Sequence, residues 1–374
     1  MEFSIPGRRL PWVSMMTLNI RITDPHQASL DKLCQSLRQL ARGLAEPHAW
    51  PGEQLQICAE AGVYEWFIPE QLGGQGWDDA DIVRGYLKLS AACLTTTLVI
   101  TQFTGACRRL AATSNQSLQQ QVLPELISGR QFATLGISHL TTSRRYLSQP
   151  VLQAERSSDG FRLQGFSPWV TGGRQADFVL TGATMNDGQQ LLVLLPMDSP
   201  GVSVPEPAEL VGLTASQTGP VHLEDVEVAK KFVLAGPAEN IMSAGTGAKT
   251  GGLQTSTLAI GLASSAIEFI ESEADKRGEL GEIGAHLRNE WTALHDDLLS
   301  SAVGNDSCTP DDLRQRSNSL VLRSTQAALA AAKGSGYVVG HPVGRWCQES
   351  LFFLVWSCPQ PVMMANLCEF AGMR

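Results

Sequence analysis

The chain has 374 residues, 43% of them hydrophobic, and a formal net charge of -9. That is apolar content for a large core spread over two or three domains, and the acid excess argues against nucleic acid or an anionic membrane surface as the main partner. No apolar run reaches the roughly 18 residues of a spanning helix, and the opening MEFSIPGRRLPWVSMMTLNI lacks a continuous apolar h-region, so neither a membrane span nor a secretory signal is expected.

In chain order, residues 1–27 read as a tail, 28–130 as a helical domain, 131–233 as a β domain and 234–374 as a helical bundle. Leu30, Leu33, Leu37, Leu40 and Leu44 recur at helical spacing. Glu53 to Ala61 predicts a second helix, stopped by Gly62, and VYEWFIPEQLGGQGW a loop. Helical patterning returns over Asp79–Leu98 and Gly105–Leu110, and a further helix ends at Leu123-Pro124. From about 131, strand-like runs alternate with Gly, Asp and Pro turns: FATLGIS, VLQAER, FRLQGF, ADFVLTGA, QLLVLLP, VSVP and VHLEDVEV. They predict an all-β domain of roughly seven strands ending near Phe232. From about 243 helices resume, with Gly261 placed to allow a close helix contact, then 283–303, 311–332 and an apolar segment over Trp346–Trp356.

Within the β domain, Phe161 to Ala183 (FRLQGFSPWVTGGRQADFVLTGA) reads as two strands flanking a Gly-Gly turn, with Pro168 restricting pairing to an edge or a bulge. Trp169 and Thr171, two residues apart on a strand, share a face. An indole and a hydroxyl so placed suit the covering of a planar ring and the bonding of its edge. They equally suit an ordinary β-sandwich hairpin with a core tryptophan, and the residues alone leave both readings open. The 8 cysteines include no CxxC pair, which fits a reduced, cytoplasmic protein with buried thiols. The 7 histidines show no metal-ligand spacing, so no metal site is expected.

Five segments in order carry a resemblance. AEAGVYEWFIPEQLGGQGW, VLPELISGRQFATLGIS, DGFRLQGFSPWVTGGRQADFVLTGA, LVGLTASQTGPVHLEDVEVAKKFVLAG and AIGLASSAI with ADKRGELG are similar, over residues 30 to 370, to motifs of the acyl-CoA dehydrogenase family. The resemblance implies an α+β multidomain fold: an N-terminal all-α domain, a central β-sandwich or barrel-like domain and a C-terminal four-helix bundle. It implies FAD between the β domain and the bundle, with Ile137, Ser138, Trp169 and Thr171 beside the ring and Ser143 as a further donor. It implies that Arg277 reaches the FAD pyrophosphate of a neighbouring subunit, a task suited to bidentate guanidinium pairing. A homodimer or homotetramer built through the bundle follows from it, as does a small-molecule substrate such as an acyl-CoA.

Three departures stand beside it. The family's "TEPxAGSD" becomes SHLTTSRR (Ser138 to Arg145), which replaces a small-residue turn with bulkier side chains; His139 is expected there as a loop residue rather than a base. The family's catalytic Glu falls on Ser357, and the alternative position on the first bundle helix reads Thr250-Gly251-Gly252, so no catalytic residue is assigned. The glycine-rich loop toward the partner's FAD becomes AAAKGSG, with Ala330 and Lys333 at altered positions. The expected function is therefore an FAD-dependent oxidoreductase acting on the CH–CH group of an acyl thioester or similar small substrate. A flavin monooxygenase or oxidase on the same fold, or an inactive member with a binding or assembly role, are the alternatives.

Overall fold

The computed structural model describes residues 21–141, 150–242, 253–305, 307–356 and 358–373. Helix α1 (Ala28–Leu40) buries Leu30, Leu33 and Leu37 along one stripe. After α2 (Gly52–Glu60) the buried Trp66 donates its indole N–H to Ile22 O (3.1 Å) and stacks on Trp77, with centroids 4.2 Å apart. That pair pins the glycine-rich loop lying between its two members.

Helix α3 (Asp79–Ala92) starts on Asp78, whose carboxylate accepts the Asp81 N–H (2.8 Å), and α4 spans Leu94–Ala111. The break between them falls at Cys93, in extended backbone, and not at 98–105 as the patterning suggests. The threonines of that stretch lower helix propensity, yet α4 carries them. Thr97, Thr101 and Thr104 return their hydroxyls to Cys93 O (2.8 Å), Leu98 O (2.6 Å) and Ile100 O (2.9 Å) of the preceding turn. Helix α5 (Gln116–Ile127) likewise continues through Pro124, where a stop was expected; Leu123 and Leu126, buried on either side, hold it together despite the missing N–H.

The sheet has 8 strands: β1 (Ala133–Gly136), then a helical turn α6 (Ser138–Thr141), β2 (Leu152–Arg156), β3 (Gly160–Thr171), β4 (Phe178–Met185), β5 (Gln190–Pro196), β6 (Val202–Ser203), β7 (Thr218–Ala229) and β8 (Val233–Ala238). The spatial order is β6-β7-β3-β2-β4-β5-β8, with β1 on β4. Two features differ from the sequence reading. First, β3 and β4 are not a hairpin: β2 lies between them, antiparallel to β3 and parallel to β4. The Gly-Gly turn is a connection between non-adjacent strands. Second, an eighth strand follows Phe232; it contains Pro237, and β8 lies at the end of the sheet order, where a missing N–H is tolerated. Strands β4 and β5 are mostly apolar because both faces are covered. Phe178, Leu180, Leu192 and Leu194 join the core shared with the helices, while Val179, Ala183, Leu191 and Val193 face a second core inside the sheet.

The C-terminal helices are α7 (Gln254–Ala274), α8 (Gly281–Ala302), α9 (Pro310–Gly336), α10 (Pro342–Ser350) and α11 (Gln360–Phe370), with a 3-10 turn at Leu351–Leu354. The expected close contact at Gly261 is present: a Cβ there would stand 2.7 Å from Leu87 O and 2.8 Å from Ser90 Cβ on α3. Ser90 Oγ donates to Leu258 O (2.7 Å) and Ser265 Oγ to Ala91 O (2.6 Å), tying α3 to α7. Among the described residues no helix is long and apolar enough to cross a membrane.

Candidate active site

A cavity of about 970 Å³ opens between α3, α4, the start of α7, the 351–356 turn and one end of the sheet. The sheet makes room for it by splitting. Strand β4 takes β1 beside Phe178–Thr181 and β2 beside Thr184 and Met185 along one edge, and β3 pairs with β2 only up to Gly165. Beyond Gly165, β3 runs with β7, and a bulge between Ser167 and Val170 takes up Pro168 and Trp169. The end of β1 then packs directly on β3: a Cβ on Gly136 would lie 2.7 Å from Ser167 Oγ. This contact delivers Ile137 and Ser138 to the same wall as Trp169 and Thr171, and all four line the cavity.

Trp169 is 49% exposed, its indole directed into the cavity and not into the sheet core. Thr171 Oγ1 shares a hydrogen bond with Thr218 Oγ1 (2.9 Å), which also meets Ser216 Oγ (2.8 Å), giving a connected row of hydroxyls on the wall. Ser138 Oγ is buried and has no hydrogen-bond partner among the described residues. A buried hydroxyl without a partner is costly and points to a polar group supplied by a ligand. The set fits a flat heteroaromatic ring with polar edges. Ser143, Ser357 and Thr250-Gly251-Gly252 lie outside the described residues.

His139 is not a loop residue. It sits in α6, buried, with Nε2 bonded to Gly182 O at 2.7 Å on β4. That carbonyl can only accept, so Nε2 carries the proton and Nδ1 is bare. Burial holds its pKa below the usual imidazole value, opposed by the bond to Gly182.

Arg277 lies away from the cavity. Its Nη2 donates to Glu273 Oε2 (2.8 Å) and to Ala331 O (2.6 Å). The fold thus brings Arg277 to the AAAKGSG break, where Lys333 adopts φ 55°, ψ -148° and interrupts α9.

Several cavity residues escaped the sequence reading. Arg108 and Arg109, in the last turn of α4, both line it. Arg109 Nη1 donates to Gly105 O (3.0 Å); burial, and then the like charge of Arg108, lowers its pKa to about 10. An Arg-Arg pair closing a threonine-rich helix was the available signal. Asp79, exposed at the start of α3, is the one carboxylate lining the cavity among the described residues.

Two buried groups hold the far side. Arg314 donates through Nη2 to Phe353 O (3.3 Å) and Trp356 O (2.8 Å) and through Nε to Asn318 Oδ1 (3.0 Å), fixing the turn that brings Phe352 and Trp356 to the cavity. Burial lowers its pKa to about 10. Glu349, next to the cavity residue Gln348, accepts from Thr95 Oγ1 (2.8 Å) and stands 3.7 Å from Arg345 Nε. Burial raises its pKa, against the pull of Arg345 and Thr95.

Comparison with known proteins gives a consistent picture. Residues 27–130 match the family described as acyl-CoA dehydrogenase, N-terminal domain. The chain is 22% identical to the mitochondrial short-chain specific acyl-CoA dehydrogenase of Rattus norvegicus, over 92% of this chain and 89% of that one. Its fold is that of the glutaryl-coenzyme A dehydrogenase glutaryl-CoA complex (TM-score 0.75, 18% identity, 93% of this chain and 96% of that one). It also superposes on dibenzothiophene monooxygenase from Paenibacillus sp. A11-2 (TM-score 0.75, 14% identity, 92% and 96%).

Proposed function

We propose that the chain is a member of the acyl-CoA dehydrogenase family and a flavin-dependent oxidoreductase acting on the CH–CH group of an acyl thioester or similar small substrate. The observation that carries the reading is the half-exposed indole of Trp169 on the cavity wall, with the partnerless hydroxyl of Ser138 beside it. FAD is the flavin proposed. When bound, it supplies a two-electron acceptor.

The chain's own residues then have separable tasks. Trp169 and Ile137 cover the ring. Ser138 and Thr171 bond its polar rim, with Thr171 held in place through Thr218 and Ser216; Ser143 is a further proposed contact. Phe352 and Trp356 exclude water from the opposite side. Arg277 is proposed to serve the pyrophosphate of a partner subunit's FAD, its guanidinium already fixed by Glu273 and Ala331 O. Exposed Met363, Met364, Leu367 and Phe370 on α11 support self-association into a homodimer or homotetramer. A cytoplasmic location is proposed with it.

The second reading, a flavin monooxygenase or oxidase, is favoured by one feature: the cavity's described lining offers only the exposed Asp79 as a carboxylate base. Spectroscopy separates the readings. Purified protein should carry bound flavin, and an acyl-CoA should bleach it anaerobically. Turnover that instead requires reduced nicotinamide and a flavin reductase selects the monooxygenase. A protein that stays colourless after flavin soaking refutes both and leaves a binding or assembly role.

A further inference from the structure

The α4 wall of the cavity changes character along its length. Leu98, Thr101, Gln102, Gly105 and Arg108 follow at helical spacing and all line the cavity, so one face of the helix runs from an aliphatic group through neutral polar ones to a guanidinium. Arg109 lines it as well, mostly buried, with its charge held close to that of Arg108. Burial, and then the adjacent charge of Arg108, raises the cost of charging Arg109. The C-terminal end of a helix favours positive charge and offsets part of it, but this does not require either residue to face a ligand-sized space. Arg108 makes no ion pair among the described residues, and Asp79, the described carboxylate on the lining, is solvent-exposed at the start of α3.

We propose that the substrate carries an anionic group of carboxylate type, which seats on Arg108 while its apolar body lies along the Leu98 end of α4. The inference rests on the cavity's being the substrate site, as proposed above. A guanidinium suits this role because it presents paired N–H groups to both carboxylate oxygens and keeps its charge at any physiological pH. Discrimination follows from the same chemistry. A neutral isostere would leave the guanidinium desolvated and without a counter-charge, so rejecting it needs no steric block.

The test uses an isosteric pair that differs only in charge, phenylpropionate and phenylpropionamide, titrated calorimetrically into the purified protein with and without bound flavin. Neither probe contains CoA, so the result does not depend on the thioester reading, and the flavin spectrum of the same sample reports on the flavoprotein reading separately. The acid should bind about 10- to 100-fold more tightly than the amide, the range of a charged hydrogen bond. Arg108→Gln should abolish that preference and Arg108→Lys should restore part of it, with unchanged thermal melting showing that both variants fold. Equal affinities, no measurable binding of the acid, or a preference that survives Arg108→Gln overturns the proposal. Acid binding that disappears when flavin is loaded also overturns it, since Arg108 would then face the cofactor's share of the cavity.

Discussion

Gly261 on α7 allows a quantitative prediction that links packing to the cavity. Adding one methyl, Gly261→Ala, places a carbon 2.7 Å from Leu87 O and 2.8 Å from Ser90 Cβ. Both neighbours belong to the backbone or the first side-chain atom of α3, so neither can rotate away, and the helices must separate by a substantial part of an ångström. Overpacking of this kind costs about 1–3 kcal/mol. Separation also stretches the Ser90–Leu258 and Ser265–Ala91 bonds, now 2.7 and 2.6 Å, each worth about 1 kcal/mol net. The gain in helix propensity returns about 1 kcal/mol. The expected net loss is about 2–3 kcal/mol, measured as a lower urea midpoint. Because Gln254, Thr255 and Thr257 at the start of α7 line the cavity, ligand affinity should fall along with stability. Gly281→Ala, with nothing within 4 Å of its added Cβ, is the control and should be neutral or stabilising. A Gly261→Ala protein as stable as the parent would refute the claim that α3 and α7 are at contact limit.

Burial raises the Glu349 pKa above 4.5 in the folded protein, so its contribution to stability is present below pH 4.5 and is lost as pH rises through the folded value; Glu349→Gln should remove that component from a stability-versus-pH curve. His139 has the opposite sign. Its folded pKa lies below 6.5, so stability is lost as pH falls from 6.5 through the lower value, and His139→Gln should flatten the curve there. Arg314→Met should leave the Trp356 carbonyl without its donor, while Phe353 O keeps Asn318 Nδ2 (3.1 Å), and should cost about 1–3 kcal/mol in urea denaturation, with weakened ligand binding at the turn they hold. Trp169→Ala should lower flavin retention on dialysis without lowering the melting temperature of the flavin-free protein, since the indole is half-exposed and contributes little to the core.

Local patterns were readable where one residue's neighbours along the chain set its environment. The stripe of Leu30, Leu33 and Leu37, the Gly261 contact and most strands follow from period and residue size. The helix breaks were less readable. Threonines in α4 and Pro124 in α5 are locally unfavourable, and it is burial against distant segments that carries the helix through them. The supposed hairpin failed for a related reason: short separation in sequence suggests pairing, but β2 offers β3 and β4 an edge each and wins both.

The order of α, β and α segments and the apolar faces were legible in the amino-acid sequence, because periodicity is a property of the chain itself; Ile137, Ser138, Trp169 and Thr171 were grouped only through the family resemblance. The split between β1 and β2 that opens the cavity, the orientation of Trp169 into it and the arrival of Arg108 and Asp79 from separate helices were decided only by the tertiary structure. Those features depend on which strand edges and helix faces meet across long stretches of chain, and the free energy that settles such meetings comes from burial shared between segments that carry no local record of one another.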